Sequence, residues 1–294
     1  MPGLTRRNPT LGGAVAMVIV ATLLFQLGAV LAKGLFPRIG VAATVSLRLA
    51  LAVPLLMFVW RPWRGNFKPS DLREILVYGI SMGCMNFCFY KSVGMIPLGV
   101  AVALEFTGPF AVAVAASRRG IDFVWAAVAA IALIVLLLSP QKLTTGALST
   151  VGVGFALAAG FCWAIYIVFG RRVGHAQGGQ TVALGVSVAA VLVAPFGLYD
   201  AGTRLLTIGI WPVAVGVAVL STALPYSLEI LALARLPARV FGVLMSLGPA
   251  VAALLGLVFL GELLTVIQWL AIAGIVVASC GTTTTSESAT PNLA

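Results

Sequence analysis

Leu104-Glu105-Phe106-Thr107-Gly108-Pro109 sets a carboxylate beside a helix-breaking Gly-Pro, inside a run otherwise apolar enough to cross a bilayer. A second Gly-Pro, Gly248-Pro249, interrupts an equally apolar run 140 positions later. Gly/Pro interruptions at corresponding places in two halves of a membrane chain point to a transport path between them.

Composition agrees. Of 294 residues, 61% are hydrophobic and 9% charged, and mean hydropathy is +1.11. A soluble domain carries about 25% charged residues. This chain cannot cover a water-facing surface, so lipid must be its solvent. The formal net charge is +10. The excess Lys and Arg sit on short connections, where they set topology. No basic stripe interleaves with aromatics, so no nucleic-acid partner is expected.

Cys84, Cys88, Cys162 and Cys280 all fall in apolar runs. Cys84 and Cys88 share a helical face, but no His or carboxylate stands beside them, so neither a metal site nor a disulfide framework is expected. The lone His175 lies in a predicted loop beside Arg171 and Arg172. There is no H-E-x-x-H, no phosphate loop and no Ser–His pair, so the chain does not read as an enzyme.

Charged residues divide the chain into ten segments near the ~20 residues a bilayer requires. They run over 12–32, 41–60, 74–95, 97–117, 122–140, 148–170, 180–199, 209–231, 239–260 and 264–283. The charge-free run from Asn8 to Ala32 exceeds the 7–15 residues of a signal core, so it reads as a retained span. Residues 285–294 read as a disordered cytoplasmic tail. Arg6, Arg7, Arg61, Arg64, Lys68, Arg73, Arg118, Arg119, Arg171, Arg172, Arg235 and Arg239 then share one side. Lys33, Arg38, Lys91, Lys142 and Arg204 share the other. That bias places both termini in the cytoplasm.

Five spans per half force the halves, 1–142 and 143–284, into opposite orientations. At a fixed offset Pro97 meets Pro237, Leu104 meets Leu244, Gly108-Pro109 meets Gly248-Pro249, and Asp122 meets Glu262. The expected fold is therefore an all-α polytopic membrane protein, with ten transmembrane helices as two inverted five-helix repeats.

Glu105 lies roughly 12 Å below the outer end of its span at 1.5 Å per residue, and Arg48 lies at similar depth. Charged groups this deep cost at least ~2.5–3.5 kcal/mol on insertion scales. They read as natural partners, either binding a polar substrate or locking two helices. Pro109 frees the carbonyl four residues back, that of Glu105 itself. Lys91 and Lys33 read as residues reaching the interface. Glu229, followed by Arg235 and Arg239, reads as an interfacial ion pair or an inner gate. Thr222, Pro225 and Tyr226 combine a hydroxyl, a helix break and a phenol in one span. Trp163 and Tyr166 share a face mid-span and belong to an aromatic belt or to a cavity wall. Gly79 and Gly83 form a GxxxG packing face.

Several stretches resemble a known family along nearly the whole chain: Val102 to Pro109, Ser117-Arg118-Arg119 through Trp125, Ser221 to Glu229, and Phe259-Leu260-Gly261-Glu262. Ala32 to Pro37 and Ser46 to Ala50 fit as well. The chain resembles the EamA branch of the drug/metabolite transporter superfamily, and within it the bacterial threonine/homoserine exporter (RhtA-type) family. That resemblance implies proton-driven efflux of small amino acids across the inner membrane, with no cofactor. It implies a monomer or homodimer, and a path at the midplane between the halves. In that reading Glu105 binds the ammonium group or a proton, and Arg48 and Lys91 meet the carboxylate. Gly108-Pro109 and Gly248-Pro249 let the halves rock. Efflux of aromatic or amphiphilic compounds, or a non-transporting scaffold, are the alternatives. One departure stands out. The superfamily often has an acid just before the proline of the ninth helix, where this chain has Gly248.

Overall fold

The computed structural model describes residues 11–116, 120–139 and 148–286. Arg6, Arg7, Arg118, Arg119, Lys142 and residues 287–294 of the tail lie outside them, while Thr285 and Ser286, expected in the disordered tail, end the last helix. The described residues are predominantly helical and contain no strand. The helices are α1 (Leu11–Ile39), α2 (Val41–Trp60), α3 (Pro69–Val93), α4 (Leu98–Glu105), α5 (Thr107–Ala116) and α6 (Gly120–Leu138). They continue with α7 (Thr150–Ala201), α8 (Trp211–Ala218), α9 (Leu224–Leu233), α10 (Ala238–Met245), α11 (Gly248–Leu260) and α12 (Val266–Ser286).

Apolar composition explains most of these rods. Among the described residues, eight segments are long and apolar enough to cross a membrane. Two of the ten expected spans fall short for local reasons. The first two turns of α3 carry Asp71, Arg73 and Glu74. The apolar part of α12 stops at Thr282, giving only Val266–Thr282.

α7 merges the expected sixth and seventh spans and carries the backbone of His175, which was expected in a loop. It is not straight. The Tyr78 ring sits against both Gly170 and Gly185, which a straight helix would hold ~22 Å apart. The two arms therefore fold back on each other. The GxxxG expectation holds on the second arm: Gly79 seats against Gly185 and Val188, and Gly83 against Ala189 and Leu192.

Among the described residues the core is two large clusters and a small third one, in which Ala14 and Val18 of α1 meet Ala232 of α9 and Leu236. The first joins α2, α3, the second arm of α7, α8 and Tyr226 of α9. The second joins α4, α6, Ala156 of α7, α11 and α12. α1 contributes to both, and Phe36 and Phe89 pack against both.

Two helix pairs share a shape. α4 and α10 each span eight residues after a proline, Pro97 (φ −56°, ψ 142°) and Pro237 (φ −54°, ψ 139°). They end at Phe106 (φ −62°, ψ −12°) and Ser246 (φ −62°, ψ −16°), just before each Gly-Pro.

Candidate functional site

Arg48 extends from α2 into the first cluster and is 4% exposed. Its NH1 donates to the Tyr90 hydroxyl at 2.6 Å and to the Ser221 carbonyl at 3.3 Å, and its NH2 donates to Asn86 Oδ1. The guanidinium also lies over the Tyr90 ring, 4.6 Å from its centroid. Each partner has a cause in sequence. Asn86 and Tyr90 are four apart on α3, hence on one face. Pro225 cannot donate to the carbonyl four residues back, which is Ser221. That orphan lies in a single π-helical turn, Val219–Ala223, between α8 and α9. Gly28 of α1 presses against Ser221 with no space for a Cβ.

The expected Arg48–Glu105 ion pair does not form. Among the described residues the only ion pair is Lys33–Glu262. All the hydrogen-bond partners of Arg48 are neutral, and its buried Nε has none among the described residues.

Glu105 ends α4 on the other cluster and is 7% exposed. Among the described residues no hydrogen bond or ion pair reaches its carboxylate. It interacts electrostatically with Arg48 from beyond ion-pair distance. Cys88 and Cys162 lie within electrostatic range of it, and Cys84 within range of both thiols. All four cysteines are free. Its carbonyl, orphaned by Pro109, meets Gly160 of α7 closely: a Cβ at Gly160 would stand 2.7 Å from it. A Cβ on Gly108 would run into the Gly160 carbonyl. The break at Gly108-Pro109 is therefore a backbone-to-backbone crossing.

The remaining sequence candidates spread around this centre. Trp163 packs edge-on against Phe106, centroids 5.0 Å apart. Tyr166 stacks on Tyr78 at 4.6 Å, and Tyr226 meets Phe25 edge-on at 5.0 Å. Each of these rings packs against another ring. Thr222 is fully buried, and its hydroxyl has no partner among the described residues. Glu229 makes no ion pair among the described residues: its Oε1 is buried and without a partner there, near Tyr78, Tyr166 and Tyr226. Arg235 is exposed and bonds its own Leu231 carbonyl. Lys91 sits over the Phe87 ring at 5.6 Å. Lys33, read as reaching the interface, pairs with Glu262 at 2.5 Å.

Gly248 and Pro249 are buried at the head of α11. A Cβ on Gly248 would stand 3.1 Å from the Phe106 ring. The space that a side chain at position 248 would enter is thus filled by the ring of the residue after Glu105. Asn86, Tyr90 and the Ser221 carbonyl are the members the sequence reading passed over. The signal was present: Asn86 is a polar side chain deep in a span, where such groups are expensive unless used.

At one end of the bundle a cavity of about 580 Å³ opens between the end of α2 and the arms of α7 and α9. Trp60, Arg64, Asn66, Gln180, Ile230 and Leu231 line it.

A bundle of apolar helices with a buried base beside one packing cluster and a buried acid beside the other fits a polytopic membrane transporter. The chain belongs to the EamA-like transporter family, whose sequence pattern matches residues 150–284. It is 48% identical over 285 residues to the threonine/homoserine exporter RhtA of Salmonella typhimurium (strain LT2), covering 97% of this chain and 96% of that protein. It is 47% identical over the same shares to the threonine/homoserine exporter RhtA of Escherichia coli (strain K12). These relatives are exporters, not enzymes. A solved crystal structure aligns over 94% of this chain and 98% of its own at a TM-score of 0.62, with 18% identity, which shows a shared fold.

Proposed function

We propose that the chain exports a small zwitterionic amino acid, threonine or homoserine first among them, across the cytoplasmic membrane of a bacterium. One observation carries this reading. A buried guanidinium on one packing cluster and a buried carboxylate on the other lie within electrostatic range, yet neither has an ionic partner. A buried charge without a counter-charge is costly. An α-amino acid supplies both missing partners: its carboxylate to Arg48, its ammonium to Glu105. The names of the relatives, at 47–48% identity, agree with that chemistry.

The substrate would then bridge the two clusters, which suits alternating access between two inverted five-helix halves, 1–142 and 143–284. The matched dihedrals at Pro97 and Pro237, and at Phe106 and Ser246, support that symmetry. The bias of Lys and Arg supports cytoplasmic termini. On that topology the cavity at Trp60 and Gln180 faces the cytoplasm, the side that loads an exporter. The proton gradient is the energy source: Glu105 takes a proton when the ammonium leaves it. The unit of function is the single chain, which holds both halves, alone or as a homodimer. Efflux of aromatic compounds is less well supported, because Trp163, Tyr166 and Tyr226 face partner rings.

The test is transport by purified protein in liposomes carrying labelled threonine, under pH gradients of either sign. Threonine should move, faster under one sign than the other. No movement of any amino acid under either sign would overturn the reading.

A further inference from the structure

Glu262 is fixed by backbone before it binds anything. α11 ends at Gly261, whose φ of 65° is left-handed and suits glycine. The Glu262 N–H returns to the Gly256 carbonyl at 3.1 Å. The side chain is thereby aimed at two elements of the first half. Its Oε2 accepts from the Leu98 N–H at 2.7 Å, capping α4 just after Pro97. Its Oε1 accepts from Lys33 Nζ on α1 at 2.5 Å.

Asp200 shows what a plain cap looks like at the same end of the bundle. It accepts from the Ala42 N–H at 2.9 Å, at the start of α2, and has no ion pair among the described residues. Glu262 does more, because its second oxygen holds a cation on a third helix. The pair is also incompletely buried, with side chains 26% and 10% exposed, so parting it does not strand two fully desolvated charges. Its position matters most: Leu98 begins α4 and Glu105 ends it. One eight-residue helix carries the clasp at one end and the central carboxylate at the other.

We propose that Glu262, clasping Lys33 and the head of α4, is the exit gate of the transporter. It ties the α11–α12 turn to α1 and α4 at the end of the bundle remote from the 580 Å³ cavity. The clasp closes the exit while that cavity is open, and must part in each cycle to release the amino acid. This rests on the export reading above.

The test uses the full chain with its four native cysteines replaced by serine, carrying Lys33→Cys and Glu262→Cys, in liposomes. A reversible bifunctional methanethiosulfonate reagent bridges the two thiols across the span of the lost side chains. Threonine transport should fall about tenfold or more when bridged and return on reduction, as for any step that gates turnover. Undiminished transport in the bridged form overturns the gate and leaves the export reading standing. Absence of transport by the unaltered chain overturns the export reading instead. Should the double-cysteine chain be inactive even when reduced, Lys33→Met in the otherwise native chain decides. Labelling of Cys162 by an impermeant maleimide from the Lys33 side, read by peptide mass, should rise several-fold. Unchanged labelling overturns the gate.

Discussion

The two Gly-Pro breaks share a backbone and differ in everything attached to it. Before each, an eight-residue helix ends with nearly identical dihedrals. The first break presses its backbone onto Gly160 and presents Glu105. The second presses onto the Phe106 ring and presents Met245 at the equivalent position. Shape is therefore duplicated while charge is not. A hinge needs symmetric backbone to rock two halves. A binding site for one zwitterion needs only one acid and one base, and a second acid would leave a buried charge unmatched.

That contrast can be broken most sharply at the two glycines. Gly108→Ala drives a methyl into the Gly160 carbonyl, which is backbone and cannot step aside. Its cost should lie at or beyond the top of the ~1–3 kcal/mol typical of overpacking, read as loss of folded protein on size-exclusion and a collapsed Tm. Gly248→Ala asks only for a shift of the Phe106 ring, and should fold. If both tolerate alanine equally, the crossing at Gly160 is not what fixes the first break.

Next comes charge. Glu105→Gln should lower threonine export by roughly 10–100-fold, the equivalent of losing a charged hydrogen bond worth about 1.5–3 kcal/mol. Met245→Leu should leave export within about twofold, as a volume-conserving swap. A large effect at Met245, or none at Glu105, would remove the asymmetry.

Arg48→Lys keeps the charge but loses the planar fork that reaches Tyr90, Asn86 and Ser221 together. The KM for threonine should rise about tenfold. The KM for the amine that lacks its carboxylate should hardly change, and equal effects on both would argue that Arg48 only holds helices. Smallest of all, Phe106→Leu in the Gly248→Ala chain should recover the stability lost at the second break. It should leave a residual cost near the ~0.5–1.5 kcal/mol of an aromatic pair, here Phe106–Trp163, measured by Tm in detergent.

The spans were legible because lipid imposes length and apolarity on each one. The exceptions follow from the same rule. α3 begins at Pro69, ahead of the expected span, because Asp71 and Arg73 mask its first turns, and α7 gives no sign in sequence that two spans run on as one bent helix. In the site, depth was legible for Arg48 and Glu105, but their pairing was not. Opposite charges invite each other on paper, whereas Arg48 is held by an amide, a phenol and a carbonyl that Pro225 set free. That carbonyl was in principle readable, since the proline names it. Lys33 was not, because its partner Glu262 is 229 residues away and only the folded chain brings them together.

α4 adds a constraint of a different kind, on length rather than composition. From Leu98 to Glu105 the chain makes about two turns at 3.6 residues each, so both ends address nearly the same side of the bundle. Every residue between them is buried. Swapping one apolar residue for another there changes packing by a methyl group or two. Inserting or deleting one residue would rotate Glu105 by about 100° relative to Leu98 and turn the carboxylate away from Arg48. Such a chain would keep its composition, its hydropathy and its Gly-Pro break, and would lose its substrate.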